Sequence, residues 1–441
     1  MNLTRRYIVF LALLFSVYYS FAQSAGPKKT VVERFLKYVK IDTQSKDDMD
    51  SIPSTRKQFD LAKVLVEELK ELGLGDARVD DHCYVYATLA TNLPASVAAK
   101  VPVIGLISHM DTSPEVSGAN VNAIIHYSYA GGDIRLPNDT TQVITVAKNP
   151  RLKDNIGSDI ITADGTTLLG ADDKAGCSEI MTVLQTLIND PSIKHGTIKI
   201  AFTPDEEVGT GAHGFDVKGF GAQYAYTIDG GQTGEISNET WNADEAKITI
   251  KGKNTHPGTA KGIMNNSLYP MAYFLSLFPP NMKPETTEKR VGFLHPYSGT
   301  VEVEESKLKV LLRDFDIQGL EKQRKILSDM KAKTLKKFPK AVIDIDIKET
   351  YRNMKLELDK VPFVTDYAIE ACKRAGVKVD FKPVRGGTDG SQLTYNGLPC
   401  PNIFTGGENF HGKLEWIPVQ GMEKGVKTIL SLIQIWVEKN S

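Results

Sequence analysis

Residues 101–111, VPVIGLISHMD, contain a continuous apolar run that ends close to side chains able to bind metals or protons. Such a run is typical of a strand that is covered on both faces. Similar runs occur at residues 198–202 (IKIAF), 224–228 (YAYTI) and 402–404 (NIF). Apolar residues at helical spacing predict helices at 31–39, 54–72 and 174–189. The alternation of strands and helices predicts an α/β domain built on a sheet.

The pattern changes at about residue 246, where apolar and polar residues alternate over 246–251 and again over 343–348. This two-residue period predicts strands with one face exposed to solvent. Between them we expect a helix at 267–278, strands at 299–304 and 307–315, and a helix at 319–338. The order β-α-β-β-α-β predicts a ferredoxin-like α+β domain. The predicted helices at 363–374 and 422–438 then return to the α/β pattern of the first part of the chain. We therefore expect an α/β domain formed by residues 23–240 and 351–441, with residues 241–350 inserted.

Composition narrows the function classes. The 441 residues carry 53 Lys+Arg and 54 Asp+Glu, a formal net charge of -1, which argues against a nucleic-acid-binding or acidic-lipid-binding protein. Residues 1–22 combine a basic start, an apolar run and a small-x-small site, which predicts a secretory signal peptide. The protein would then be periplasmic or extracellular; without a signal peptide it would be cytoplasmic. Four cysteines are too few for a disulfide framework, so we expect Cys83, Cys177, Cys372 and Cys400 to be buried small residues.

Metal-capable side chains follow the ends of the buried strands. In open α/β sheets, ligands bind beyond the carboxyl ends of the strands. A further pair of carboxylates stands in LLGADDKAG, at the start of a predicted helix. The candidate donors at these places are His109, Asp111, Asp172, Asp173, Glu206, Glu207, Asp229 and His411. Each one alone is more often a cap or a solvated charge, but together in one crevice they would repel one another unless cations are bound.

Imidazole and carboxylate donors without cysteine favour Zn²⁺ or a similar first-row metal. Two ions fit the charge, because Asp172, Glu207 and Asp229 with one bridging hydroxide neutralise two Zn²⁺. Such a pair lowers the pKa of the bridging water and polarises a substrate carbonyl. A neighbouring carboxylate must then accept and return the proton. The adjacent Glu206 and Glu207 allow one to bind metal while the other faces the water.

Ordered motifs along the chain resemble the tripeptide aminopeptidases of the M20 family of dizinc metallopeptidases. They are HMDTSPEVSG, LLGADDKAG, TPDEEVG, TIDGG, NTHPGTAKG, RGGTDG and GGENFHGKLEW, and the match covers essentially everything after about Lys29. The resemblance implies that one zinc is held by His109, Asp172 and Asp229. It implies that the second is held by Asp172, which bridges, together with Glu207 and His411. Asp111 would orient His109, and Glu206 would be the general base and acid.

The resemblance also implies roles for the inserted domain, which would close over the site as a lid and can support a homodimer. His256 would stabilise the developing oxyanion, although a turn residue before Pro257 is an equally good interpretation. Arg313 would bind the terminal carboxylate of the peptide, and Arg385 is a weaker candidate for substrate binding. The remaining histidines match no ligand motif and are interpreted as structural or surface residues: His82, His126, His195, His213 and His295.

Three functions remain open at this point. The first is an aminopeptidase that releases the N-terminal residue from tripeptides with a free N-terminus. The second is another M20-type amide hydrolase, a dipeptidase or an N-acyl amino acid deacylase, because the metal centre is common to all of them. The third is a non-catalytic peptide-binding or zinc-binding protein on the same scaffold. Glu206 argues against the third, since a binding protein needs no proton shuttle.

Overall fold

A computed structural model describes residues 29–441. The predicted signal peptide, residues 1–22, lies outside the described residues and stays a prediction. Among residues 29–441, none of the helices has both the length and the hydropathy that a membrane crossing requires.

The bounds of the strands and helices are as follows. The strands are β1 Arg78–Val79, β2 Val85–Leu89, β3 Ile104–His109, β4 Ile124–His126, β5 Ile134–Arg135, β6 Val143–Ile144, β7 Ile160–Thr162, β8 Ile198–Thr203, β9 Tyr224–Gly230, β10 Glu235–Ser237, β11 Asn242–Lys251, β12 Phe293–Val301, β13 Glu305–Asp314, β14 Val342–Tyr351, β15 Asp380–Phe381, β16 Asn402–Phe404 and β17 Trp416–Pro418. The helices are α1 Val31–Tyr38, α2 Gln58–Glu71, α3 Ala95–Ala98, α4 Ala171–Asn189, α5 Val217–Phe220, α6 Leu268–Ser276, α7 Ile317–Lys337, α8 Lys355–Leu358, α9 Phe363–Arg374, α10 Asp389–Tyr395 and α11 Val419–Asn440.

The larger sheet has eight strands in the order β1-β2-β8-β3-β9-β16-β10-β15. Its four central strands, β8, β3, β9 and β16, are parallel to one another. Every residue of β3 is buried, as expected for a strand that is covered on both faces. The carboxyl ends of these four strands meet at one edge of the sheet, where the candidate donors were expected. All four cysteines are free, and all are buried, as predicted.

Helix α4 packs against the central strands and against α11, and one buried acid lies between the two helices. Glu179 of α4 is fully buried, and neither of its carboxyl oxygens has a hydrogen-bond partner among the described residues. A Cβ atom on Gly425 of α11 would lie 2.2 Å from Glu179 Oε2, so the glycine makes room for the carboxyl. Burial, helped by the charge of Asp173, raises the pKa of Glu179 well above its usual value.

This buried acid predicts a pH-dependent stability. Because the pKa of Glu179 is higher in the folded than in the unfolded chain, folding stability falls as pH rises above the unfolded value, by up to about 1.4 kcal/mol per pH unit. We expect Glu179→Gln to remove this dependence, so the Tm of the variant relative to wild type should increase from pH 5 to pH 8. Glu423→Gln, at an exposed position on α11, is the control. A Tm difference that does not change with pH would contradict the prediction.

The inserted segment forms a second sheet with its own core. Strands β11, β12, β13 and β14 are antiparallel in the order β12-β13-β11-β14, and α6 and α7 pack on one face of this sheet. The chain order β-α-β-β-α-β and this sheet order are those of a ferredoxin-like fold. A separate apolar core lies between the sheet and the helices and includes Ile248, Phe274, Val310 and Leu327. The predicted fold class, an α/β domain with an inserted α+β domain, is confirmed.

Several predicted bounds were wrong. Helix α2 begins at Gln58, not at residue 54, because the Ser54 hydroxyl and amide both donate to the Asp205 carboxylate, at 2.5 and 2.6 Å. Strand β12 covers Phe293–Val301, whereas we expected residues 299–304. The acidic residues Glu302 and Glu304 lie in the hairpin turn that joins β12 to β13, where their charges stay in solvent.

Candidate functional site

The predicted donors meet at one edge of the larger sheet, and each is positioned by the end of a secondary-structure element. His109 is the last residue of β3, and Glu206 and Glu207 lie in the turn after β8. Asp229 is the next-to-last residue of β9, and His411 lies in the loop after β16. The fifth segment is the start of α4, which brings Asp172 to the same place. We therefore find the donors together although they are scattered over about three hundred residues of chain.

His109 contacts two of the carboxylates through one nitrogen. Its Nε2 atom lies 2.9 Å from Asp172 Oδ1 and 3.5 Å from Asp229 Oδ1. All three side chains are largely buried, with His109 only 1% exposed. A cation between these atoms would be enclosed by one imidazole and two carboxylates, which is a donor set suited to zinc.

His411 forms a second group around the other oxygen of Asp172. Its Nε2 atom lies 2.7 Å from Glu207 Oε2 and 3.4 Å from Asp172 Oδ2. The two oxygens of Asp172 therefore face different histidines. A carboxylate in this position can bridge two ions, as the sequence resemblance implied.

Burial and the charges of the neighbouring side chains shift the pKa values of this cluster. Burial and the charge of Asp172 raise the pKa of Glu207 to about 8, and burial also raises the pKa of Asp229. Hydrogen bonds to Asp172 and Glu207 raise the pKa of His411 to about 11. Although burial opposes the charged form of His109, its carboxylate partners raise its pKa well above the usual value. The raised pKa values reflect the cost of burying several carboxylates together, a cost that bound cations would offset.

The residues present fit divalent metal ions. The donor set contains imidazole and carboxylate, and ligand atoms of His109, Asp172 and Glu207 all lie within 4.8 Å of one another. Glu207 Oε1 is buried and has no hydrogen-bond partner among the described residues. Burial of an unpaired carboxylate oxygen is costly, and a coordinated cation removes that cost.

A second group of close donor atoms contains His109, Asp173 and Asp229. Asp173, however, already accepts hydrogen bonds from the protein. Its Oδ2 accepts from the Ser108 hydroxyl at 2.5 Å and from the His109 amide at 3.2 Å, while its Oδ1 accepts from the Gly176 amide at 3.1 Å. Asp173 therefore ties the end of β3 to α4, and Asp172 is the better metal donor.

Asp111 lies behind the cluster and supports it in two ways. The Nδ1 atom of His109 lies 3.1 Å from the Asp111 carbonyl oxygen and 3.4 Å from its carboxylate. The same carboxylate accepts hydrogen bonds from the backbone amides of Glu206 and Glu207, at 3.0 and 3.2 Å. One buried side chain thus fixes both the histidine ring and the Glu-Glu turn, which is how outer groups orient metal ligands.

Sequence reasoning missed Glu415 and Asp389. Glu415 is buried and accepts hydrogen bonds from the amides of Leu169 and Gly170, both at 2.7 Å, and from that of Asp172 at 3.1 Å. Burial raises its pKa to about 7. Asp389 is the first residue of α10, and its carboxylate accepts a hydrogen bond from the Thr203 hydroxyl at 2.6 Å. Thr203 is the partner of His109 in the pairing of β8 with β3. Both residues stood in motifs we had noted, GKLEW and RGGTDG, but neither follows a predicted strand.

A cleft of about 290 Å³ opens beside the cluster. Five of its lining residues belong to the candidate centre, namely Asp172, Glu206, Glu207, Asp229 and His411. The others are Gly230, Gly231, Glu235, Ser237, Val384, Gly387, Thr388, Asn402 and Phe410. Burial and the charge of Asp229 raise the pKa of Glu206 well above its usual value. The cleft is large enough for a small ligand and places Glu206 at its wall.

The three predicted residues of the substrate site do not line this cleft. His256 is exposed on the α+β domain, and its Nδ1 atom accepts a hydrogen bond from the Gly258 amide at 3.1 Å. Arg313, on β13, donates to the carbonyl oxygens of Asp244 and Leu312, both at 3.0 Å. Its guanidinium lies 5.6 Å from the ring centroid of Tyr351, and that ring would touch a Cβ atom on the cleft residue Gly387. The Tyr351 ring therefore lies between Arg313 and the cleft residue Gly387.

Arg385 connects the two domains. Its guanidinium donates to the carbonyl oxygens of Thr287 and Lys289, at 3.3 and 2.7 Å, and lies over the ring of Trp241. The Arg385 guanidinium therefore already has hydrogen-bond acceptors on the α+β domain. The contacts observed for Arg385 hold the RGGTDG loop against the inserted domain.

The fold and this cluster define a class of protein. Residues 163–435 match the model of peptidase family M20/M25/M40, and the chain belongs to this family. It is a peptidase. The particular relatives are enzymes called peptidase T. That of Geobacillus thermodenitrificans (strain NG80-2) is 49% identical over 415 residues, which cover 94% of this chain and 100% of the relative. That of Clostridium botulinum (strain Hall) is 46% identical, covering 93% of this chain and 100% of the relative.

Solved structures show the same fold. Aminopeptidase PepT from Bacillus cereus ATCC 10987 superposes with a TM-score of 0.69 at 22% identity, covering 94% of this chain and 100% of that one. A tripeptidase from Staphylococcus aureus superposes with a TM-score of 0.71 at 23% identity, covering 93% and 99%. The resemblance noted in the sequence motifs is confirmed.

Proposed function

We propose that this protein is a zinc-dependent aminopeptidase that releases the N-terminal residue from tripeptides. The observation that carries the proposal is the cleft, where Glu206 stands beside a cluster of two histidines and three carboxylates. The names of the relatives, which align over their whole length, support a peptidase activity, and the motif resemblance supports the tripeptide substrate.

The chain would hold two zinc ions. His109, Asp172 and Asp229 would hold one, and Asp172, Glu207 and His411 the other. When bound, such a pair lowers the pKa of water and polarises a peptide carbonyl. Asp111 and Glu415 would keep the ligands in place through the hydrogen bonds described above.

Glu206 would move the proton that peptide hydrolysis requires. Its carboxylate accepts a proton from the attacking water as the water oxygen bonds to the carbonyl carbon. It then donates that proton to the leaving amine nitrogen as the C–N bond breaks. Burial and the charge of Asp229 raise the pKa of Glu206, and bound cations would lower it.

The inserted domain would complete the substrate site. We propose that it acts as a lid, that Arg313 binds the carboxylate of the peptide and that His256 stabilises the oxyanion. In the structure neither residue lines the cleft, so binding requires movement of the α+β domain or of these side chains. Arg385 would bind substrate only after leaving the carbonyl oxygens of Thr287 and Lys289, and the α+β domain would support a homodimer.

A substrate panel tests the proposal. The chain from Ala25 onward, loaded with Zn²⁺, is assayed on a free tripeptide, a dipeptide, an N-acetylated tripeptide and an N-acyl amino acid. We expect the free tripeptide to have the highest kcat/KM. A preference for either blocked substrate would overturn the aminopeptidase assignment in favour of a deacylase. A preference for the dipeptide would favour a dipeptidase, and metal binding without hydrolysis would favour a binding protein.

A further inference from the structure

The cleft is lined by one more acid, Glu235. Glu235 is, among the described residues that line the cleft, the single ionisable side chain that is neither a candidate metal donor nor the proposed base. It opens strand β10, which lies between β16 and β15 in the larger sheet. Its carboxylate lies close to Gly231, where an added Cβ atom would be 3.2 Å from Oε2. Gly231 follows the metal donor Asp229 by two residues, so Glu235 lies near the centre without belonging to it.

The register of β10 directs Glu235 into the cleft together with Ser237. Successive side chains of a strand point to opposite faces. Ile236 and its partner Ile403 on β16 are buried in the main core, so Glu235 and Ser237 face the other way. Ser237 pairs with Asn402, which also lines the cleft. Ser237 Oγ is buried and has no hydrogen-bond partner among the described residues. The β10 wall therefore offers a carboxylate and an unpaired hydroxyl on one face.

The existing partner of Glu235 leaves it able to bind a ligand. Lys382 Nζ lies 3.1 Å from Glu235 Oε2, but the lysine side chain is 43% exposed, whereas that of Glu235 is 14% exposed. An ion pair with an exposed lysine contributes little and is easily shared. The carboxylate can thus accept a second cationic donor from within the cleft.

We infer that Glu235 and Ser237 form the subsite for the α-ammonium group of the substrate. The inference rests on the proposed function and deepens it. A free N-terminus lies within a few bonds of the carbonyl that is attacked, so its positive charge must sit close to metal cations that repel it. A carboxylate in the same cleft offsets that repulsion, and the Ser237 hydroxyl oxygen accepts a hydrogen bond from another of the three ammonium N–H groups. An N-acyl substrate has no such charge and leaves Glu235 without a cationic ligand.

Binding to a catalytically silent protein tests the subsite. The zinc-loaded Glu206→Gln variant is titrated by calorimetry with trialanine and with propanoyl-alanyl-alanine, which lacks the α-amino group. We expect trialanine to bind about 10- to 100-fold more tightly, the range of a charged hydrogen bond. Adding Glu235→Gln should reduce this preference to within about threefold while leaving the affinity for the des-amino peptide unchanged. Adding Ser237→Ala should reduce it in part.

The matched control is Glu408→Gln in the same background. Glu408 is a carboxylate that lines a neighbouring cavity, and its charge interacts with that of Glu235. We expect it to leave the preference intact, which separates a direct contact from a change in local charge. Metal content and Tm identify a variant that has not folded. A preference that survives Glu235→Gln, or equal weakening of both ligands, overturns the inference. Because binding is measured without turnover, a wild-type protein that fails to cleave tripeptides would refute the proposed function and not the subsite.

Discussion

We expect Glu206→Gln to lower kcat for tripeptide hydrolysis by about 10²- to 10⁴-fold, the usual contribution of a general acid–base group. The physical reason is that glutamine has the same shape but can neither accept the proton of the attacking water nor return it to the leaving amine. Glu206 lines the cleft beside Glu207, and its backbone amide is held by Asp111. The substitution keeps that hydrogen bond, so we expect the turn and the metal donors to remain in place.

The measurement is kcat on a free tripeptide together with the zinc content of the same sample. Unchanged zinc with reduced kcat is the expected result, because Glu206 has no place in either proposed ligand set. Equal turnover by the variant and the wild type would remove Glu206 from its role. A parallel loss of zinc would instead assign Glu206 to metal binding.

The fold could be predicted where burial determines the sequence. Strands β3, β8 and β9 are covered on both faces, so their apolar runs were visible in the sequence. Strands β11 and β14 have one buried and one exposed face, so their alternating apolar and polar residues predicted the inserted sheet. Two-residue strands such as β1 and β15 were not predicted, because so short a segment has no period. They form where a neighbouring strand edge offers hydrogen-bond partners, which is a property of the tertiary structure.

Most candidate donors could be predicted because they follow strands, and Asp172 because it stands at the start of a helix, whereas the supporting residues Glu415 and Asp389 could not. His109 and Asp229 stand at the ends of apolar runs. Glu415 acts through backbone amides about 245 residues earlier in the chain, so nothing in its own neighbourhood indicates that contact. Glu235 was missed for a related reason, since its orientation depends on the pairing of β10 with β16. Ligands are visible in local patterns, while their partners depend on how segments pack.

Asp172→Asn should remove both metal ions. Asp172 contacts His109 through Oδ1 and His411 through Oδ2, at 2.9 and 3.4 Å, so it belongs to both proposed ligand sets. Asparagine keeps the shape but offers one neutral oxygen in place of two anionic ones. Loss of an outer group costs about 10- to 100-fold in metal affinity, and loss of a bridging ligand should cost more. We expect bound zinc to fall below one ion per chain and kcat to fall on the order of 10⁴-fold.

Glu115→Gln is the matched control for this variant, because it removes a carboxylate from the other side of the same histidine. Glu115 Oε2 lies 3.9 Å from His411 Nδ1, and its side chain is 67% exposed. An exposed pair at this distance contributes little, so we expect zinc content and kcat to stay within about twofold of wild type. If Asp172→Asn kept two zinc ions, Asp172 could not be the bridge. Asp173, the other carboxylate close to His109, would then have to give up its hydrogen bonds to Ser108 and Gly176 to take that place.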